Sequence, residues 1–460
     1  MSRLVLPILF LIVVFEIIYP QPALAGLPVK YLPGFEGSLP FQLETGYIGV
    51  GEADEVQLFY YFIKSQSNPK IDPLIYWFTG GPGCSPLSAI LYELGPVTLD
   101  IRAYNGSLPT LSLNPYAYTK VANMIFVDLP VGTGFSYATT QKANYSDDLQ
   151  SAHYAYEFLR KWFVEHQEYL KNPFYVAGDS YSGITVPIVT EVISNGIDMG
   201  IKPWINLKGY ILGNPLTFKD QDHYYRIHFA RGMGLISNEL YESSVNNCEG
   251  EYLHNGPTNS LCSSDMIMIE WLVKDIYQYN ILEPPCELAS YESRRSLIEN
   301  IQKLKNPATH SGIKCRGQWH DLGLIWANDK NVQDALHVRK KTNGAWEECR
   351  SNISFGAIID NTIPYHENLS RKGFRSLIYS GDHDMVVPFI STEAWITSLN
   401  YPIVVDWKPW IVDGQVAGYT RSYSNQMTFA TVKGGGHTAP ESKPVECFSM
   451  LKRWLSYEPL

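Results

Sequence analysis

Six short apolar runs, each ending in a turn, constrain the fold of this chain most strongly. They read LIYWF before TGGPG, NMIFVDLP, FYVAG, GYILGNP, SLIYSGD and MTFATVKGGG. Helical patterns separate several of them, such as LQSAHYAYEFLRKWFVEH from Leu149, where apolar side chains recur three and four residues apart. This alternation favours an α/β fold with a mostly parallel sheet covered by helices on both faces. Ligands bind beyond the carboxyl ends of such strands, where the Gly-rich and Asp-containing turns lie.

The alternation breaks between about residues 216 and 328. This stretch holds four of the seven cysteines and a basic, loop-like run over residues 290–314. Such a composition is typical of a disulfide-stapled helical insertion or lid, and not of a second sheet. Length alone would suit two or three domains, but α/β folds often run long as one unit. We expect one domain over residues 26–460 that carries this insertion.

The first 25 residues predict a secretory signal peptide. The chain opens with MSR, continues as an apolar run over residues 4–15, and reaches Ala23-Leu24-Ala25 before Gly26. A membrane anchor is the alternative, but Glu16 and Pro20 shorten the apolar stretch below the ~20 residues that a span needs. Passage through the secretory pathway would expose sequons to glycosylation. They stand at Asn105, Asn144, Asn352 and Asn368.

Charge and cysteine usage narrow the possible partners and compartments. The net charge of −10 argues against nucleic acid or anionic membranes as partners. The seven cysteines lack the paired C-x-x-C spacing of zinc sites, so disulfides are the better interpretation. An odd count leaves one thiol free. Cys447 lies with Phe448, Leu451 and Trp454 at helical spacing, which predicts a buried, inert thiol.

The stretch FYVAGDSYSGITVPIV predicts a nucleophilic serine at position 180. A strand enters a tight turn and then a helix whose first turn is expected to include Pro187. This is the pattern of a nucleophile elbow, which presents a serine hydroxyl at the sheet edge. The usual motif has glycine two residues after the serine, whereas Ser182 holds that place here and Gly183 follows. A plain strand–turn–helix therefore remains an alternative for the motif alone.

The expected partners of Ser180 follow two later apolar strands. SLIYSGDHDMVVP displays Asp384, and FATVKGGGHTAPE displays His437. A serine needs a histidine to take its proton, and the histidine needs a carboxylate to fix its tautomer. The order Ser, Asp, His is that of α/β-hydrolases. Asp382 competes for the acid role, although a turn-stabilising function suits it better, and His437 could be an ordinary loop histidine.

Acyl chemistry also needs donors for the negative charge that develops on the carbonyl oxygen. One donor would be the backbone N–H of Tyr181, and the other would come from the glycine-rich residues 80–83. A phosphate-cradling loop is the rival interpretation, but no Lys-Ser/Thr follows and Pro82 interrupts it. The sequence shows no metal or nucleotide motif, and the expected chemistry requires no cofactor.

Six motifs in order over residues 78–441 carry a resemblance: TGGPGCS, VDLPVGTGFSYA, AGDSYSG, ILGNP, YSGDHDMVVP and GGGHTAPE. Together they resemble the serine carboxypeptidase family, and specifically the plant serine carboxypeptidase-like acyltransferases. The resemblance implies an α/β-hydrolase fold with a helical lid. It implies a triad of Ser180, Asp384 and His437, with oxyanion-hole amides from Gly81 and Tyr181. It also implies the disulfides Cys84–Cys349, Cys248–Cys262 and Cys286–Cys315.

Two residues depart from the peptidase pattern. Peptidase members of the family bind a peptide's terminal carboxylate with an Asn before the two glycines and a Glu before the nucleophile, where this chain has Thr79 and Asp179. Threonine lacks the amide donors, and aspartate is one methylene shorter. A site built on hydrogen bonds loses discrimination when these partners are removed. We therefore expect a remodelled substrate site formed by Thr79, Gly80, Asp179 and Glu93, of which Glu93 still matches the family.

The resemblance implies a donor that is a 1-O-β-glucose ester of a plant carboxylic acid. Ser180 would form an acyl-enzyme, and an acceptor alcohol or amine deprotonated by His437 would then take the acyl group. The main alternative is a serine carboxypeptidase or esterase that hydrolyses its substrate. A catalytically silent binding protein is a further alternative, which the complete set of triad residues disfavours.

The resemblance also bears on maturation and destination. Some relatives lose an internal peptide, and Arg294-Arg295 is the expected cleavage point if this chain is processed to two disulfide-linked chains. An ordinary surface loop is the alternative. The signal peptide predicts the secretory pathway. The resemblance favours the vacuole, with the extracellular space as the alternative.

Overall fold

The computed structural model of the protein describes residues 26–100, 107–250, 260–285, 315–340, 342 and 344–460. Several features predicted from the sequence lie outside these residues. They are the signal peptide over residues 1–25, the sequon at Asn105, Cys286, and the dibasic pair Arg294-Arg295.

Strands dominate the centre of the fold. The described residues form β1 Gly26–Val29, β2 Leu43–Val50, β3 Val56–Ile63, β4 Leu74–Phe78, β5 Val97–Leu99, β6 Leu111–Leu113, β7 Asn123–Val127, β8 Tyr137–Ala138, β9 Ser146–Asp147, β10 Phe174–Asp179, β11 Leu207–Gly213, β12 Phe355–Gly356, β13 Arg375–Gly381, β14 Ile403–Val412, β15 Gln415–Tyr423 and β16 Met427–Val432. Most of them join one large sheet in the order β1-β2-β3-β7-β4-β10-β11-β13-β16-β15-β14, with β8 paired to β3.

The central strands β7, β4, β10, β11, β13 and β16 run parallel to one another. They are the six apolar runs from which the sequence predicted a parallel sheet, and the prediction is confirmed. Every residue of β4, β7, β10 and β13 is buried. Strands covered on both faces show such continuous apolar runs and no alternation with polar residues. Antiparallel strands extend both edges, β1 to β3 on one side and β15 and β14 on the other.

Helices cover both faces of this sheet. The described helices are α1 Asp148–Glu165, α2 Ser182–Asp198, α3 Lys219–Gly232, α4 Asn238–Cys248, α5 Ser260–Val273, α6 Arg316–Ala327, α7 Lys330–Ala335, α8 Ile363–Arg371, α9 Phe389–Ser398, α10 Ala439–Ser442 and α11 Pro444–Leu455. Short 3-10 or π turns cover Ala89–Glu93, Tyr118–Lys120, Lys142–Asn144 and Gln167–Tyr169. None of the described helices combines the length and hydropathy that a membrane-spanning segment requires.

Two apolar layers enclose the sheet. Trp162 of α1 and Trp395 of α9 are fully buried in one layer, together with residues of α2. Trp326 of α6 and Trp454 of α11 are buried in the other. Cys447 lies in this second layer as a buried free thiol, which confirms the prediction from its helical spacing.

The chain between β11 and β13 divides into two parts. Helices α3 to α5 form a small apolar cluster of their own, in which Ile227 and Ile269 pack with Met385. Helix α6, in contrast, buries Leu322 and Ile325 in the main core. Within the expected insertion, therefore, α3 to α5 form a cap-like unit, whereas α6 belongs to the body of the fold.

Disulfides fix two points of this architecture. Cys248–Cys262 joins α4 to α5, and Cys84–Cys349 joins the loop after β4 to a distant segment. Cys315 at the start of α6 is also disulfide-bonded, while its expected partner Cys286 lies outside the described residues. These bonds agree with the pairing that the resemblance implied.

The described sequons differ in accessibility. Asn144 and Asn352 are exposed, as a glycan acceptor must be. Asn368 is half-buried, and its Nδ2, the atom that would carry a glycan, donates to Glu191 at 3.0 Å. Asn144 and Asn352 are therefore the better placed of the three.

Candidate active site

Ser180 lies in a strained turn between β10 and α2. Its φ of 55° places it in the left-handed region, which costs a non-glycine residue about 1–2 kcal/mol. The end of β11 holds this conformation, because the N–H of Ser180 donates to the carbonyl of Gly213 at 2.9 Å. The carbonyl of Ser180 in turn accepts from the N–H of Leu216 at 2.9 Å. This is the geometry of a nucleophile elbow, and not of a plain strand–turn–helix.

The serine two residues after Ser180 has a structural use. Ser182 occupies the place where the usual motif has glycine, and its Oγ donates to the carbonyl of Phe78 at 3.1 Å. Phe78 is the last residue of β4. Ser182 therefore ties the elbow to the strand from which the glycine-rich residues 80–83 emerge.

Pro187 lies deeper in its helix than the sequence suggested. We expected it in the first turn, but α2 begins at Ser182, so Pro187 is the sixth residue. Because proline has no N–H, the carbonyl of Gly183 loses its helical partner. The hydroxyl of Thr362 replaces that partner by donating to the Gly183 carbonyl at 2.9 Å.

Ser180, Asp384 and His437 come together at the carboxyl ends of β10, β13 and β16. The Nε2 atom of His437 lies 2.7 Å from Ser180 Oγ, and its Nδ1 lies 2.7 Å from Asp384 Oδ2. A proton on Nδ1 would bond the carboxylate and leave Nε2 free to accept from the serine hydroxyl. The arrangement can therefore withdraw a proton from Ser180 and so activate its oxygen.

The carboxylate of Asp384 is buried but well hydrogen-bonded. Its Oδ1 accepts from Val386 N at 2.7 Å, and its Oδ2 accepts from Val387 N at 3.2 Å and Asn214 Nδ2 at 2.9 Å. Together with His437 Nδ1, these donors leave both carboxylate oxygens hydrogen-bonded. Asn214 was not predicted from the sequence, although its position directly after β11, in GNP, was a signal.

The pKa of His437 reflects two opposed causes. Burial would lower it, because the side chain is only 5% exposed. The neighbouring Asp384 carboxylate outweighs burial and raises the pKa above its ordinary value, and Asp179 acts in the same direction. The imidazolium that forms during proton transfer is thereby stabilised.

Asp382 has the turn-stabilising role that was its alternative interpretation. Its Oδ1 accepts from the N–H of Gly434 and from Nδ1 of His383, both at 2.6 Å. These contacts join the turn after β13 to the turn after β16. Of the two aspartates, Asp384 is the one that reaches His437.

Residues 79–83, the TGGPG loop, lie directly against the elbow. A Cβ atom on Gly80 would come within 2.5 Å of Ser180 Cβ and 2.9 Å of the Tyr181 nitrogen. Gly81 has a φ of 117°, which only glycine adopts without strain. The backbone can thus approach the nucleophile closely. This proximity suits the expected role of the Gly81 and Tyr181 amides, which remains a prediction.

The side chains of Thr79 and Asp179 form hydrogen bonds within the protein. Thr79 Oγ1 accepts from the indole Nε1 of Trp77 at 3.2 Å. Asp179 Oδ1 accepts from the N–H of Gly80 at 3.2 Å. Asp179 is only 3% exposed, and burial raises its pKa to about 6 despite the opposing effects of His437 and this N–H. Both side chains therefore have protein partners.

Glu93 contrasts with this pair. Its side chain is buried, and its Oε2 has no hydrogen-bond partner among the described residues. Burial, and then the charges of Asp179 and Glu441, raise the pKa of Glu93 well above its ordinary value. The structure thus places the expected substrate residue Glu93 in the same electrostatic environment as Asp179.

The expected insertion also reaches the triad. The N–H of His437 donates to the carbonyl of Tyr279 at 2.6 Å, and the two rings meet edge to face at 5.3 Å. The N–H of Met385 donates to the carbonyl of Gln278 at 2.9 Å. This short segment, which the sequence did not single out, covers the turns that carry Asp384 and His437. Across the described residues, no three His, Cys, Asp or Glu side chains are arranged as metal ligands.

Comparisons with known proteins match this chain to one protein family. Residues 33–457 match the model of the serine carboxypeptidase family. Among curated relatives, serine carboxypeptidase-like 12 of Arabidopsis thaliana is 49% identical over 94% of both chains. Serine carboxypeptidase-like 19 of the same plant is 48% identical over the full length of both.

A solved structure shows the same fold. The prohormone-processing carboxypeptidase Kex1(delta)p of Saccharomyces cerevisiae superimposes with a TM-score of 0.72 at 20% identity, covering 91% of this chain and 92% of its own. At this identity the likeness concerns the fold alone, which is an α/β-hydrolase-like sheet with flanking helices. The match to the family model and the extent of the plant relatives go further: the chain belongs to the serine carboxypeptidase family.

Proposed function

We propose that this enzyme is an acyltransferase of plant specialised metabolism that moves an acyl group from a 1-O-β-glucose ester to an acceptor alcohol or amine. One observation carries the proposal: Thr79 and Asp179, at the positions where peptidase relatives bind a terminal carboxylate, are engaged with Trp77 and Gly80. A site with these partners is poorly suited to a peptide carboxylate. The donor class follows from the resemblance of the motifs to plant acyltransferases.

In the first half-reaction, Ser180 Oγ attacks the ester carbonyl while His437 Nε2 takes its proton. A carbon–oxygen bond forms to Ser180, and the bond to the glucose oxygen then breaks as His437 returns the proton to it. Asp384 holds the imidazole in the required tautomer and stabilises its charged form. The amides of Gly81 and Tyr181 would stabilise the negative oxygen.

In the second half-reaction, the acceptor takes the place of glucose. His437 removes the proton of the acceptor hydroxyl or amine, which attacks the acyl carbon and releases Ser180 with its proton. Water competes at this step, so the site must exclude it. The 5% exposure of His437 beneath Tyr279 supports such exclusion. The cap of α3 to α5 is the part of the insertion suited to a lid.

Hydrolysis of C-terminal peptide bonds or esters is the second candidate function. Glu93 favours it, because a buried carboxyl with an unpartnered oxygen and a raised pKa could donate a proton to a substrate carboxylate. The two functions share Ser180 and differ in the group that is bound and in the nucleophile that takes the acyl group.

We also propose delivery through the secretory pathway, because members of this family are secretory or vacuolar enzymes. We infer a signal peptide over residues 1–25, glycans at the exposed Asn144 and Asn352, and the vacuole as destination with the extracellular space as the alternative.

Cleavage at Arg294-Arg295 would leave two chains joined by Cys286–Cys315. Reducing and non-reducing gels of the mature protein test this, and one full-length band in both would exclude cleavage.

Substrate comparison tests the proposed function. The purified glycoprotein is incubated with an acylglucose, with and without an alcohol, and separately with a blocked peptide that has a free carboxyl end. We expect an ester of the added alcohol and little amino acid release, measured by mass spectrometry. Efficient release of the C-terminal amino acid would contradict the acyltransferase function. Transfer that survives Ser180→Ala would contradict the mechanism.

A further inference from the structure

Helix α6 places His320 between two carboxylates. Its Nδ1 lies 2.8 Å from Glu348 Oε1, and its Nε2 lies 3.0 Å from Glu441 Oε1. The side chain is 19% exposed, and the ring stacks on Tyr92 at 4.4 Å with an interplanar angle of 8°. Since both ring nitrogens face acceptors, the ring satisfies both only when each nitrogen carries a proton. This arrangement holds a charged imidazolium.

Glu441 connects this imidazolium to the turn that carries His437. The hydroxyl of Thr438, the residue after His437, donates to Glu441 Oε2 at 2.7 Å. Arg316, one turn before His320 on α6, pairs with Glu441 at 2.9 Å. The side chain of Glu441 is only 3% exposed. Two cations of α6 therefore fix the carboxylate that supports the residue next to His437.

Glu348 connects the imidazolium to the other side of the site. It precedes Cys349, which is bonded to Cys84 just after the TGGPG loop. The carbonyl of Glu348 accepts from the N–H of Ser85 at 2.7 Å. One histidine thus bridges the segment that supports Gly81, one of the two expected oxyanion donors, and the segment that supports the expected base.

We propose that His320, in its protonated form, is a positioning residue that holds the His437 turn and the TGGPG loop in their mutual geometry. It acts through Glu441 and Glu348 and touches no reacting atom. The inference rests on the Ser180 chemistry proposed above, but not on the identity of the donor or acceptor.

The charged groups around His320 determine the pH at which its ring loses a proton. The groups that face it are Glu348, Glu441, Glu93, Asp321, Arg316 and the stacked Tyr92. Burial would lower the pKa of His320, but the carboxylates of Glu348 and Glu441 raise it well above its ordinary value. The bridge is therefore complete at neutral pH and is lost as the pH rises through this raised pKa. Two buried carboxylates then lose their shared cation.

The test uses turnover of p-nitrophenyl acetate, which needs Ser180 but no glucose ester. In His320→Gln we expect kcat to fall about tenfold to a hundredfold with a smaller change in KM, because misplaced catalytic groups slow the chemical step. We expect kcat of the wild type to decline at alkaline pH as His320 loses its proton, and we expect this decline to be absent in His320→Gln, which lacks the titrating group. A merely structural role would leave that decline in place.

His166 offers a matched control. It is also a largely buried histidine that stacks on an aromatic ring, Trp162, at 4.1 Å and bonds a carboxylate, Glu44, at 3.0 Å. It lies at the end of α1, next to β2. His166→Gln should lower the melting temperature but keep the wild-type pH profile, which separates loss of a buried ion pair from loss of positioning.

A second variant keeps the test decisive if His320→Gln does not fold. Glu348→Gln removes one of the two carboxylates, and the alkaline limb should move about one pH unit lower because a nearby anion no longer supports the charged ring. Wild-type kcat and an unmoved alkaline limb in either folded variant would overturn the role of His320. If the wild type does not turn over p-nitrophenyl acetate, the Ser180 chemistry and the role of His320 are both overturned. If it turns over this ester but transfers nothing from an acylglucose, only the proposed donor is contradicted.

Discussion

The proposed triad and the buried side chain of Glu93 differ in how completely their polar atoms are paired. Asp384 is fully buried, yet both of its oxygens accept hydrogen bonds, and His437 is bonded at both ring nitrogens. Glu93 is also buried, but its Oε2 has no partner among the described residues. Because buried polar atoms are normally hydrogen-bonded, a substrate is the partner that the proposed function would supply to this oxygen.

The residues proposed for acyl transfer therefore differ in hydrogen-bond pairing from Glu93, which is proposed for substrate recognition. The fold brings Ser180, His437 and Asp384 into hydrogen-bond contact with one another without any substrate. Under the proposed function, Thr79, Asp179 and Glu93 select the substrate; Thr79 and Asp179 already have protein partners, whereas Glu93 Oε2 has none among the described residues. Changes in the triad should therefore abolish turnover of every substrate, whereas changes at these three positions should alter which substrate is used.

The largest effect is expected from Ser180→Ala. Without the hydroxyl no acyl-enzyme can form, so kcat for any ester should fall by about 10⁶-fold. The melting temperature should stay within a few degrees of the wild type, because the same backbone bonds hold the turn. Turnover and thermal unfolding of the same preparation measure both. Residual turnover at a tenth of the wild-type rate would remove Ser180 from the mechanism.

Asp384→Asn should come next. An asparagine would favour the wrong tautomer of His437, and a loss of about 10⁴-fold in kcat is expected. Asp382→Asn is the matched control, since Asp382 is two residues away and its side chain bonds Gly434 and His383. That variant should lose less than tenfold by the same steady-state assay. Equal losses in both variants would contradict the assignment of Asp384.

The double change Thr79→Asn with Asp179→Glu should shift recognition toward peptides. It restores the amide donors and the longer carboxyl, and kcat/KM for a peptide with a free carboxyl end should rise about tenfold or more. Thr185→Asn is the control, because Thr185 lines the same small cavity as Thr79. No gain in the double variant, or an equal gain in the control, would show that these positions do not govern the substrate class.

Glu93→Gln should stabilise the protein at neutral pH. Because folding raises the pKa of Glu93, the folded state holds its proton more tightly than the unfolded chain, and stability declines as the pH rises above the unfolded value. Glutamine removes this decline and should add on the order of 1 kcal/mol to the free energy of unfolding at pH 7. The gain should vanish toward pH 4. Urea unfolding at both values measures it, and a loss of stability at pH 7 would mean that Glu93 is ionised and paired.

The smallest effect concerns the acid side of the pH profile. His437 works as a base only when neutral, and its raised pKa places the decline of kcat/KM above the ordinary histidine value. The Asp179 carboxylate contributes to that elevation, so Asp179→Asn should move the decline to lower pH by a fraction of a unit. Asp198→Asn, which alters an exposed residue paired with Lys372, is the control. An unmoved decline in Asp179→Asn would show that Asp179 carries no charge there.

The core of the fold was predictable because of its burial. The six parallel strands are apolar throughout and end in turn residues, so both their presence and the edge of the site could be inferred. The antiparallel hairpin of β14 and β15 was missed, although its turn at Asp413-Gly414 has positive φ at both residues and is a typical hairpin signal. Strand β3, which has six buried residues in a row, was also missed, so continuous burial alone did not ensure that a strand was predicted.

The triad could be inferred because each member follows an apolar strand, but its supports could not. His320 lies 28 residues from Glu348 and 121 from Glu441, and only the packing of α6 on the core brings them together. The contact of Tyr279 with His437 depends equally on how the insertion returns to the sheet. Local sequence patterns contain no information on such pairings.

Partitioning of the acyl-enzyme tests the central claim most directly. Wild-type protein is mixed with an acylglucose and increasing concentrations of an acceptor alcohol, and glucose, free acid and the new ester are measured together. We predict that glucose release equals the sum of free acid and ester, and that the ester becomes the main product as the acceptor concentration rises. Free acid as the main product at every acceptor concentration, with faster cleavage of a blocked peptide, would contradict the account.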